Sequence, residues 1–104
     1  MALTESIEYD KIEVIGPFKT VQVRKATVIK KDGKELTRSF ERFSLTPGNL
    51  DASNNLIDNP LDKEPDGTTT IVDEVKAVAN AVWTTSIKNA WKEHLIANKP
   101  TINN

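Results

Sequence analysis

One stretch of this 104-residue chain constrains the fold more than any other: Thr70 to Lys99, which holds both tryptophans. It is the only long segment with helical rather than alternating periodicity. Ile71, Val75, Val78 and Val82 recur at three- and four-residue spacing, and so do Trp83, Ile87, Ala90 and Trp91. Thr70 followed three residues later by Asp73 reads as a capping-box variant, and Lys99-Pro100 as the stop. The apolar stripe does not keep to one face. At about 100° per residue, Trp83, Ile87 and Trp91 lie a quarter-turn or more round from the Ile71–Val82 direction. The helix therefore either bends or breaks near Thr84-Thr85-Ser86, or serves two surfaces. On the second, Trp83, Ile87, Trp91 and Leu95 are interface candidates, because a second apolar surface on a one-layer sheet usually means a subunit partner.

Everything before residue 70 reads as strand, turn or polar loop, so the expected class is α+β. An N-terminal strand and a long bulged hairpin (7–45) form a small antiparallel sheet, a polar loop spans 46–69, and one helix (70–99) packs across the sheet. Residues 1–6 are expected to fray. Ile12 and Val14 alternate with Lys11 and Glu13 as in a half-buried strand, and Gly16-Pro17 breaks it before Phe18 restarts an extended run. Asp32-Gly33 between TVQVRKATVIKK and KELTRSFERFSL suits a two-residue type I′ turn. Lys31 then opposes Lys34, Ile29 faces Leu36, Lys25 faces Phe40, and Arg24 pairs with Glu41. Val21 and Val23 differ in parity from Ala26 and Val28, and an extra residue near Arg24-Lys25 would return both pairs to one face.

Hydrophobic content of 38% leaves a small core, with no cysteine to staple it and a single histidine, His94. That need for help again favours a homo-oligomer. No apolar run approaches a membrane span or a signal peptide, so a non-membrane, cytoplasmic protein is expected.

The net charge of −1 hides a split, since Lys19 to Arg42 carries 8 − 3 = +5 and the remainder −6. A basic ribbon of Arg24, Lys25, Lys30, Lys31, Lys34, Arg38 and Arg42 would suit a major groove or a phosphate backbone. The interspersed acids and the slightly acidic whole weigh against nucleic acid and for a partner-facing charge.

Asp62, Glu64, Asp66 and Asp73 stand at positions 1, 3, 5 and 12 of a calcium-loop pattern with Gly67 at 6. Pro65 at position 4, the short Asp73 at 12 and the lack of an entering helix make an acidic turn-rich loop the better reading, with no metal and no cofactor. His94 has no nucleophile to activate, and the four glycines are scattered rather than gathered in a phosphate-binding loop. The chain does not read as an enzyme.

The wording of KIEVIGPFKTVQVRKATVIKKDGKEL, the LTPG turn and the AVWTTSIKNAWK helix resembles that of small uncharacterised proteins encoded by marine tailed phages. The resemblance implies a virus-encoded accessory or structural protein, in the host cytoplasm or the virion, with other phage structural proteins among its partners.

Overall fold

The computed structural model describes residues 2–99. Three long strands form an antiparallel meander in the order β1-β2-β3: β1 (Leu3–Ile15), β2 (Thr20–Lys31) and β3 (Lys34–Leu45). The expected 46–69 loop contains a second, two-stranded sheet, β4 (Gly48–Leu50) with β5 (Leu56–Asp58). Gly48 is needed there, because a Cβ at this position would collide with the Ile57 carbonyl.

The expected single helix is two: α1 (Asp73–Val82) and α2 (Thr85–Ala97). The break falls at Trp83-Thr84, where the Thr84 hydroxyl accepts from the Ile87 N–H and caps α2. Competition between that side-chain cap and the continuing helix is the local reason for the break. The start also moves. Asp73 is the first residue of α1, and Val72 at its cap makes no side-chain bond. Thr70 is instead drawn into a bridge with Lys63. The terminator Pro100 lies outside the described residues.

The N-terminal strand is longer than expected, since Leu3–Ser6 pair with Lys31–Val28 rather than fray. Asp32 at φ 50° and Gly33 at φ 84° satisfy the type I′ turn. The parity conflict resolves differently from the expectation. Pairing between β2 and β3 is unbroken from Val21↔Leu45 to Ile29↔Thr37, so no bulge sits at Arg24-Lys25 on the hairpin. The extra residues are Asp10 on β1, opposite Arg24-Lys25, and Leu36 on β3, next to the turn. Leu36 shifts the register by one. Ile29 thus faces Thr37, Lys25 faces Glu41, and Arg24 faces Arg42.

Directly opposed residues in an antiparallel pair share a face. The Asp10 bulge brings Leu3, Ile7 and Tyr9 onto the same face as Ile12 and Val14. That face also carries Val21, Val23, Phe43 and Leu45, and α1 packs on it while α2 lies against β4. Ala26 and Val28 stay on the opposite face, fully buried there without a helix. The register sets Glu8 and Phe40 beside Ala26 and Arg38 beside Val28, and these long side chains close over them.

The core is confined to one end of the meander. Val21, Val23, Leu45, Leu61, Ile71, Val75, Ala79 and Trp83 form one cluster, with Tyr9, Ile12, Phe43 and Ile87 packed around it. On the core-facing side the cover stops at the row Tyr9–Lys25–Glu41. Six residues of β2 run on from Lys25 to Lys31, about 20 Å of ribbon. The molecule is accordingly long, 66 × 32 × 21 Å.

Candidate interaction surfaces

Trp83, expected at an interface, is 6% exposed and belongs to the core. Its Nε1 donates to the Lys19 carbonyl at 2.7 Å, tying α1 to the β1–β2 turn. A ring so enclosed has no surface to offer a second chain. Ile87 packs against the same cluster, and Leu95 is half-buried.

Trp91 finds its partners within the chain. Its Nε1 donates to the Gly48 carbonyl at 2.8 Å, which anchors α2 on the small sheet. Its ring lies 5.4 Å from both Phe18 and His94, and Phe18 lies 4.6 Å from His94. Phe18 does not restart a strand: it sits in the turn between β1 and β2 and is the aromatic that the second helix face meets. Both indoles therefore grip the same turn, one directly and one through Phe18. The second apolar direction of the 70–99 segment is served by the protein itself.

Two cations of the basic ribbon, Arg24 and Arg38, are paired with acids of β1. Arg24 makes a bidentate pair with Asp10, Nε to Oδ1 at 3.0 Å and Nη2 to Oδ2 at 2.8 Å, in place of the expected Glu41. This pairing holds the Asp10 carboxyl below its usual range. The Arg24 guanidinium also lies 4.4 Å from the Phe40 ring centre. Arg38 spans Glu35 at 2.8 Å and Glu8 at 3.0 Å, which raises its pKa and lowers that of Glu35.

Lys25 is buried. Its Nζ donates to Glu64 Oε1 at 2.9 Å, while the Tyr9 hydroxyl donates to Glu64 Oε2 at 2.8 Å. The Glu64 hydrogen bond raises the Lys25 pKa. Burial first, and then the same carboxylate, raises that of Tyr9. Lys25 is thus withdrawn from the ribbon's surface charge. Lys30, Lys31, Lys34 and Arg42 form no ion pair among the described residues. Three of these four cluster at the tip, and Arg42 stands at the far end, so no continuous phosphate-matching stripe forms. Arg42 borders a shallow hollow of about 310 Å³ on the outer face, beside the Arg24 of the Asp10 pair and the Lys11–Glu13 pair.

The 62–73 acids do not converge. Glu64 points inward to Lys25 and Tyr9. Asp66 accepts from the Thr68 and Thr69 N–H groups and the Thr69 hydroxyl, which hold its pKa down at about 2. Asp73 opens α1. Among the described residues, no three acidic, histidine or cysteine side chains stand where they could hold a metal ion.

What the sequence reading missed is the ribbon beyond the cover. Leu3 (64% exposed), Ile7 (53%), Leu36 (58%) and Phe40 (50%) all project from it. The signal in the sequence is the even spacing of Leu3 and Ile7, which extends the strand of residues 7–15 back through residues expected to fray. No helix among the described residues is long and apolar enough to cross a membrane. Comparison with protein-family models, with curated proteins and with solved structures finds no match to this chain.

Proposed function

We propose that this chain is a non-enzymatic interaction or structural protein that self-associates, of the tailed-phage type its wording resembles, acting in the host cytoplasm or the virion. The observation that carries the reading is the projecting ribbon. A domain with a small core sends about 20 Å of three-stranded sheet past its own cover, with four large apolar side chains at least half exposed on it. Leu3 and Ile7 lie on the core-facing side and Phe40 on the opposite one, and apolar surface of this kind on a small domain marks a contact site when a partner is available to cover it. The contact surface moves accordingly. The apolar face of α2 is occupied by Phe18 and Gly48, which favours the ribbon over α2 as the contact surface. Light scattering behind size exclusion, at high protein concentration and low salt, tests the reading: a mass above that of one chain is expected, and a monomer throughout counts against it.

A further inference from the structure

The ribbon offers three surfaces to a second molecule: its edges, its outer face and the uncovered part of its core-facing side. The edges are blunted. β1 carries the Asp10 bulge with Glu5, Glu8 and Glu13, and β3 carries the Leu36 bulge with Lys34, Glu35, Arg38 and Arg42. Bulges and charges are the devices that keep edge strands from accepting another strand. The outer face is crossed by the Asp10–Arg24 pair, the Glu8–Arg38–Glu35 bridge and the Arg24–Phe40 stack, so charges of both signs are mixed along it with Phe40 half exposed among them.

The core-facing side of the ribbon is different. Its rows are Ile7–Thr27–Ser39, then Glu5–Ile29–Thr37, then Leu3–Lys31–Lys34 at the tip. The first two are apolar or hydroxyl-bearing apart from Glu5. Apart from Glu5, one row in from the tip on the β1 edge, charge on this side sits at the two ends and differs in sign. The tip carries Lys31 and Lys34. At the base stand Glu41 and, on the loop that forms a step there, Asp66, which borders the same hollow as Glu41.

We propose that this side of the ribbon is covered by the same side of a second copy, the two ribbons lying antiparallel, so that the lysines of each tip meet Glu41 and Asp66 at the base of the other. The proposal rests on the self-association reading and names its surface. A two-fold axis across the strands, near Val28, brings tip over base twice, and the opposite charges then match at both ends. The strictly parallel alternative would set lysine over lysine and acid over acid. The Asp66 charge is secure at any pH well above its pKa of about 2. The contact is small. Three strands over about 20 Å present roughly 300 Å² per copy, well under the roughly 800 Å² per partner of a standard stable interface. Association in the micromolar range or weaker is expected, strengthened at low salt.

The test is sedimentation of the full chain and of two charge-reversed forms, K31E/K34E and Glu41→Lys, alone and mixed. All these positions lie at the surface of the ribbon, and the unfolding midpoint of each form confirms that it folds. Each reversed form alone is expected to associate at least 10-fold more weakly than the wild type. The equimolar mixture is expected to recover most of the wild-type affinity, because the reversed tip then meets the reversed base at one end while the native tip meets the native base at the other. Association of the wild type with neither reversal weakening it would overturn the antiparallel contact while leaving self-association standing. Weakening without recovery in the mixture would overturn the tip-to-base geometry. A wild type that stays monomeric overturns both. Should either reversed form fail to fold, Ser39→Arg, an exposed change in the middle of the face, is expected to weaken association by a similar factor, and an unchanged affinity there would count against the proposed face.

Discussion

The two ends of the β meander are made from the same three strands but held together by different means. At one end Val21, Val23 and Leu45 lie under Ile71, Val75, Ala79 and Trp83, a two-layer arrangement with an apolar interior. At the other, Ala26 and Val28 are equally buried, yet what covers them is guanidinium, carboxylate and one phenylalanine edge on a single sheet. Burial at the first end comes from a second layer of secondary structure. At the second it comes from long side chains of neighbouring strands folding over the central one. A covered sheet gains stability from apolar area, whereas a meshed one gains order at a smaller free-energy margin. Amide hydrogen exchange is therefore expected to be slowest in the Val21–Lys25 half of β2 and faster in its Thr27–Lys31 half.

The contrast can be broken most directly at Trp83. Trp83→Ala removes the largest ring of the packed end and its bond to Lys19, and should cost about 4 kcal/mol in denaturant unfolding. A loss below about 1 kcal/mol would mean that this end is not the stability centre.

The boundary between the two ends is the Lys25–Glu64–Tyr9 cluster. Glu64→Gln leaves a lysine charge buried without its counterion and should cost about 3 kcal/mol. Lys25 and Tyr9 both hold their protons more tightly folded than unfolded, so their contribution is complete below pH 10. It is lost as pH rises past their ordinary values of 10.5 and 10.0 towards the folded ones. Glu64→Gln should flatten that alkaline limb, which urea midpoints measured across it would show.

Val28→Ala, under the mesh, should cost about 1.5 kcal/mol for two methyl groups' worth of buried surface. A value as large as that at Trp83 would erase the distinction between the ends. Thr84→Ala removes the α2 cap and should cost about 1 kcal/mol, read as lost helicity together with a lower midpoint. Ile7→Ala, on the open ribbon, should change monomer stability by less than about 0.5 kcal/mol. Its effect should appear only where copies meet.

Legibility from sequence followed the range of the forces concerned. The type I′ turn is written in two adjacent residues, Asp32-Gly33, and the antiparallel sheet with helical cover follows from periodicity over a dozen residues. The break at Trp83-Thr84 was foreshadowed by the change of apolar direction, which says that one straight helix cannot satisfy both halves. Register was harder. The parity switch between Val23 and Ala26 suggested a bulge on β2, but a strand buried on both faces produces the same pattern without one. Which strand yields is decided by Asp10, whose carboxylate reaches Arg24 when the chain bulges there. The counterions of the basic ribbon were hidden for a related reason: those of Arg24 and Arg38 stand on β1, 14 residues away for Asp10 and 30 for Glu8. Glu64 was a plausible cation ligand in a linear motif. Only the fold shows that its cation is Lys25, 39 residues upstream.

The two indoles, one enclosed beneath α1 and one half-open beside His94, also make the protein its own pair of optical probes. Trp83 should emit at short wavelength and resist quenching by iodide, whereas Trp91 should emit further to the red and be quenched. Single-tryptophan forms, Trp91→Phe and Trp83→Phe, would then report separately on the large sheet and on the small one with α2. If the two emission signals move at the same urea concentration, the two sheets melt as one cooperative unit. If the Trp91 signal moves first, the small sheet and α2 come away while the meander still stands.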